Sequence, residues 1–184
     1  MPRSRIGSTD PVERLSGKLL YSAAAVVERI KPSSLYNFVS PKEIFLWKQE
    51  RSLLLARLNL SAYTLYKQDD FLSVLFYREE LLAAHLKRPE IAGFLRALGY
   101  PSKDDLCGRL ASLKERYSIR DYPHEIGVFL GYPLADVWGF INNKGQNYKA
   151  CKYWKVYGDV QQSECLFAQI DHAKTKAVAL LAGA

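Results

Sequence analysis

Apolar residues recur at helical spacing along the first third of the chain, and two of these runs open with a proline behind a capping side chain. In Asp10-Pro11-Val12-Glu13 the aspartate can cap, the proline suits the first helical position, and the glutamate sits where a capping box wants an acid. Val12, Leu15, Leu19, Val26 and Ile30 then follow at near-helical intervals, predicting one helix with a buried face that Pro32 stops. Ser40-Pro41-Lys42-Glu43 opens a second helix through roughly Arg57, carrying Ile44, Trp47, Leu54 and Leu55.

The pattern changes at residue 58. Leu58 to Tyr66 and Phe71 to Tyr77 are rich in strand formers and are separated by the polar break Gln68-Asp69-Asp70, so residues 58–77 read as a β-hairpin. A helical reading of this stretch is the alternative, since short apolar runs are ambiguous. From Arg78 to Ile141 the signals are helical again, and Leu-Gly-Tyr-Pro occurs twice, at 98–101 and 130–133. Each copy follows an apolar helical run and precedes an acid, Asp104-Asp105 or Asp136. Glycine can take the left-handed position that ends a helix, and proline two residues later can begin the next. Both copies therefore predict helix–turn–helix corners, and shared corner geometry explains them without a duplication. Asn142 to Asn147 is a loop, Tyr148 to Tyr157 a basic aromatic strand, and Val160 to about Leu181 a last amphipathic helix. Three strands and about seven helices make a mostly helical α+β domain. It has a small antiparallel sheet (hairpin 58–77 plus strand 151–157), with helices covering one face.

Composition narrows the classes. The chain has 184 residues, 48% hydrophobic and 24% charged, which suits a single soluble domain over residues 10–184 behind a flexible basic arm at 1–9. No apolar stretch approaches a membrane span, and the basic N-terminus lacks the apolar core of a signal peptide. Three cysteines without C-x-x-C spacing argue against a disulfide framework or a thiolate zinc site, so reduced thiols in a cytoplasmic protein are expected. A net charge of +7 favours anionic partners, although solubility alone also explains it.

Three constellations could carry chemistry. In Pro123-His124-Glu125, a histidine beside an acid suits acid–base work, yet adjacent helical residues diverge by about 100° and do not share a face. The plainer reading is capping and packing. Residues 125–141 have the cadence of a DNA-binding helix-turn-helix, but the second helix offers Leu134, Asp136, Val137, Trp138 and Phe140 where base-reading side chains are needed. Residues 144–157 interleave Lys144, Lys149, Lys152 and Lys155 with Tyr148, Tyr153, Trp154 and Tyr157. That mixture suits a phosphate-bearing ligand or single-stranded nucleic acid, and equally a strand whose lysine stems cover aromatic rings. Strand alternation would put Cys151, Tyr153, Lys155 and Tyr157 on one face. Cys151 lies among lysines that would lower its thiol pKa, although a free cysteine is more often a small buried residue. Cys107, Cys165, His85 and His172 fall on helical patterns and read as packing residues. No metal-binding carboxylate cluster, phosphate loop or nucleophile elbow is present.

The stretch from Pro123 to Asp159 strongly resembles the signature of a bacterial family, domain of unknown function 3793. Matching positions include His124, Glu125, Gly127, Gly131, Asp136, Gly139, Lys144, Gly145, Asn147, Cys151, Trp154, Lys155 and Tyr157, and the likeness extends more weakly upstream to Ile30-Lys31. The resemblance implies a cytoplasmic protein of anaerobic bacteria, associated with flavodoxin and ferrous-iron uptake genes, and brings no established activity or cofactor. It also implies a His-Cys pair shortly before Lys31, where this chain has Ser22-Ala23-Ala24-Ala25, and further cysteines where this chain has Ala173. The leading expectation is a ligand- or partner-binding accessory protein. Its partner would be an anionic small molecule or an acidic protein of the flavodoxin type, met at Lys144, Asn147, Lys155 and Tyr157. An enzyme using His124, Glu125 and Cys151 comes second, and a nucleic-acid binder third. If the signature forms one site, His124, Glu125, Lys144, Asn147 and Cys151 converge around the 142–147 loop.

Overall fold

The computed structural model describes residues 10–101, 105–117 and 123–183; the arm expected at 1–9 and the acid Asp104 lie outside them. Helix α1 (Pro11–Ser22) begins as its sequence dictates, Asp10 accepting a hydrogen bond from the Val12 N–H at 2.9 Å. It does not run on to Ile30. The chain breaks at Ala23, makes the single turn α2 (Ala24–Val27), and turns sharply through Arg29 at φ 61°. The N–H groups of both Ile30 and Lys31 then donate back to the Ala25 carbonyl.

After Pro32 comes an element that the apolar pattern did not predict, strand β1 (Ser33–Phe38). Helix α3 (Pro41–Leu58) follows and ends on Asn59 in the left-handed conformation, and the expected hairpin is β2 (Ser61–Lys67) with β3 (Leu72–Tyr77). All three strands form one antiparallel sheet in the order β1-β3-β2, so the second arm of the hairpin is the central strand.

The sheet is covered on both faces rather than one. Leu72, Val74 and Phe76 of β3 join Leu15, Leu19, Phe38, Ile44, Trp47 and Leu54 in a core under α1 and α3. Leu75 and the β2 residue Leu65 point the other way. They join a larger core built from α4 (Glu79–Leu86), α5 (Pro89–Ala97), α6 (Leu106–Tyr117), α7 (Ile126–Phe129), α8 (Leu134–Asn142) and α9 (Val160–Ala182). Period-two alternation along a strand buried on both sides produces these two cores.

Both Leu-Gly-Tyr-Pro glycines end their helices in the expected left-handed conformation, Gly99 at φ +87° and Gly131 at φ +79°, although α6 starts only at Leu106, beyond Pro101. Pro133 directly precedes α8. The stretch 148–157 is not one strand. It folds back as a two-stranded ribbon, β4 (Ala150–Cys151) against β5 (Lys155–Val156), separate from the main sheet. The reversal at residues 152–154 cancels the simple alternation of faces.

Candidate functional site

Most of the signature's polar side chains are engaged inside the protein. Asp136 is buried, and its Oδ1 accepts from the Tyr157 and Gly158 N–H groups, both at 2.8 Å. Its Oδ2 accepts from Ser163 Oγ at 2.7 Å, so one carboxylate ties α8 to the ribbon and to the start of α9. Glu125 is also buried. It accepts from Tyr100 Oη at 3.1 Å and from Arg116 Nε, joining the first glycine corner and α6 to the start of α7; burial, and then this carboxylate, raises the Tyr100 pKa. His124 is exposed and turns elsewhere, its ring edge-on to Phe140 at 4.9 Å. The neighbours His124 and Glu125 therefore diverge.

The expected ligand-binding residues separate in the same way. Lys155 donates to the Gly145 carbonyl at 2.7 Å and lies over the rings of Tyr148 and Phe140. Cys151 is its cross-strand partner. His124 and Lys155 thus both meet the Phe140 ring. Lys144 and Asn147 are exposed loop residues in the left-handed region, at φ 50° and 57°. Tyr157 packs against the bare α-carbon of Gly139, and its hydroxyl is buried. All three cysteines are exposed, so the packing readings of Cys107 and Cys165 and the buried reading of Cys151 do not hold; none is covered by a neighbouring element. His85 does pack as expected, its Nε2 3.0 Å from the Val128 carbonyl.

A line of rings runs inward from His124. Phe140 lies 5.5 Å from Trp154, and Trp154 stacks on Tyr132 at 5.0 Å with the planes 21° apart. The far side of Tyr132 carries a cation: Lys31 Nζ sits 4.2 Å from its centroid. Lys31 is only 7% exposed. It is drawn in by its neighbour Pro32, which packs onto Gly131 so closely that a Cβ there would stand 2.4 Å from the proline Cδ. The next residue is anchored too, Ser33 Oγ donating to the Phe129 carbonyl at 2.7 Å.

Lys31 faces a cavity of about 270 Å³ lined by Tyr21, Ser34, Tyr132, Tyr153 and Lys174, with Ala25, Leu35 and Ile170 as apolar wall. Among the described residues, no carboxylate or carbonyl accepts a hydrogen bond from Lys31 Nζ. Burial pushes its pKa down to about 7, and the Lys174 ammonium adds to the fall. Lys174 is lowered as well, first by burial; it lies over Tyr153 at 4.4 Å and Tyr21 at 5.1 Å. The acid at the rim is already engaged. Asp171 accepts from Lys152 and, at 2.7 Å, from Tyr153 Oη, and these two hydrogen bonds hold its pKa low. The cavity thus presents two amines and no unengaged carboxylate.

A family model described as a protein of unknown function (DUF3793) matches residues 19–184. The chain belongs to that family. No curated protein and no solved structure matches it. The DUF3793 match begins on α1 and takes in the whole cavity as well as the signature. The places where this chain lacks the thiols that the resemblance implies lie together beside the cavity. Ala24, Ala25 and Ala173 are buried in one core where α2 packs on α9. Reasoning from sequence did not select Lys31 and Lys174 of this DUF3793 member as site residues, although the resemblance reaches Ile30-Lys31. Among the described residues, no group of three His, Cys, Asp or Glu could hold a metal ion, and no helix is long and apolar enough to cross a membrane.

Proposed function

We propose that this protein is a ligand-binding protein for a small anion of the carboxylate or phosphate class, held between Lys31 and Lys174. The observation that carries the reading is the buried Lys31 amine, which faces a cavity without an unengaged carboxylate. Burying a charge without a partner is expensive, and an entering anion supplies the missing partner. The stack of Tyr132 on Trp154 holds the lysine from behind, and the face of Tyr132 offsets part of the desolvation through a cation–π contact. A small ligand fits this cation better than an acidic protein does, because the cavity encloses it and a protein surface would not reach it. His124 lies at the outer end of the ring series, and neither it nor Cys151 lines the cavity.

Thermal unfolding in inorganic phosphate and in acetate, each against chloride at matched ionic strength, tests the reading. A ligand that binds only the folded state raises Tm, by the equivalent of about 2.7 kcal/mol at a hundred times Kd. The rise is expected in the wild type and is lost in Lys31→Met and Lys174→Met. No rise with either anion, or a rise that survives both substitutions, would overturn it.

A further inference from the structure

We infer that Lys31 is a nucleophilic amine that forms an imine with a small 2-oxo acid whose carboxylate rests on Lys174. The inference rests on the anion-binding reading and gives that ligand a chemical class. Four observations support it. The amine is buried, faces a cavity, donates to no neighbouring acceptor, and shares the cavity with a second amine. A lysine becomes a nucleophile when desolvation or a neighbouring cation favours its neutral form, and both conditions are met here. The neutral fraction of such an amine at pH 7 exceeds that of an ordinary surface lysine by roughly a thousandfold.

The ligand class follows from the two amines together. One cation is needed to hold an anionic group, and one neutral amine to attack a carbonyl carbon. Lys174 is suited to the first role, since it is less buried than Lys31 and Asp171 beside it opposes the fall that burial causes in its pKa. The smallest molecules carrying both groups are 2-oxo acids. The Lys31 nitrogen lone pair attacks the carbonyl carbon, and the carbonyl oxygen takes up a proton to give a carbinolamine. Loss of that oxygen as water, with the two hydrogens that leave nitrogen, completes the C=N bond. No oxidant or reductant takes part. Tyr132 and Tyr153 face the same space, and burial raises both of their pKa values, that of Tyr153 to about 12, so both hydroxyls keep their protons at neutral pH.

Reductive trapping tests this. The full-length protein is incubated at pH 7 with pyruvate and sodium cyanoborohydride, whose hydride reduces the imine to a stable secondary amine, and the labelled peptides are mapped by mass spectrometry. One 1-carboxyethyl group on Lys31, appearing well before any on surface lysines, is the expected result. Labelling spread over surface lysines with none on Lys31 overturns the inference. Lys31→Met should lose the early adduct. In Lys174→Met, labelling of Lys31 by pyruvate should slow, while labelling by acetone, which has no carboxylate, should not. Equal labelling of wild-type Lys31 by acetone and pyruvate would refute the assignment to 2-oxo acids. Stabilisation by phosphate without an adduct would remove only the imine, whereas loss of both would remove the binding reading beneath it.

Discussion

Replacing Lys31 by methionine should raise stability at pH 7 and remove a pH dependence that the wild type shows. Methionine has nearly the same length and suits an irregular apolar gap, so the substitution deletes the amine with little change in volume. In the unfolded chain this amine titrates near 10.5, and in the folded protein near 7. Below pH 7 both states hold the proton, and the burial penalty is present at its full size. Between pH 7 and about 10.5 the unfolded chain binds more protons than the folded one, so stability rises with pH. At 1.36 kcal/mol per pKa unit, and with the folded group half titrated at pH 7, the wild type gains about 2 kcal/mol between pH 7 and 9 from this residue. Lys174, lowered in the same direction, contributes to the slope in both proteins. Urea denaturation of wild type and Lys31→Met at the two pH values isolates the difference. If the two proteins gain or lose the same stability from pH 7 to 9, Lys31 is not titrating in the fold as described.

The two glycine corners should respond unequally to alanine. At Gly99 only the positive φ is violated, since a Cβ there meets nothing within 4 Å, and a cost of about 1 kcal/mol is expected. At Gly131 the same strain is joined by the collision with Pro32, so about 2–4 kcal/mol is expected, measurable by the same urea titration. Asp136→Ala strips three donors of their acceptor, two of them backbone N–H groups. It should cost about 3 kcal/mol or more and speed amide hydrogen exchange at Tyr157 and Gly158. Acetate affinity, followed by calorimetry, should weaken as pH rises from 6 to 8, because Lys31 loses its proton through about 7 while acetate stays fully ionised; a flat profile would count against its contact with the anion.

Where neighbouring residues decide the structure, the sequence was legible. The cap at Asp10, the hairpin within 58–77 and the left-handed glycines of both Leu-Gly-Tyr-Pro corners follow from local chemistry, and all form. Strand β1 was missed because Ser33–Phe38 is short and lies between two prolines. It also mixes polar and apolar residues on both faces: Leu35 packs into one core beside Ser33 and Asn37, while Tyr36 and Phe38 pack into the other beside Ser34, so no amphipathic alternation marks it. Asp136 looked like an ordinary first-turn acid, and its burial depends on the later ribbon and on Ser163. Lys31 gave no local sign at all. A lysine after a helix and before a proline reads as a solvated cation near a C-terminus. What buries it is a set of rings from much later in the chain, which no periodicity in its own neighbourhood encodes.

The same separation along the chain has a temporal consequence. The amine is translated early, on the link between α2 and β1, while one wall of its cavity, Ile170 and Lys174, belongs to α9 and is translated after every other lining residue. Gly17 of α1 packs directly on Leu181, so α9 lies along the first helix. Before α9 docks, a nascent chain carries Lys31 as an ordinary hydrated ammonium, inert toward the carbonyl compounds of the cell. Docking of α9 adds the remaining wall of the cavity, and the resulting burial lowers the amine's proton affinity. On the proposed imine chemistry, reactivity at this position requires α9 in place, and a chain stopped short of α9 would be chemically silent there even if its sheet had already formed.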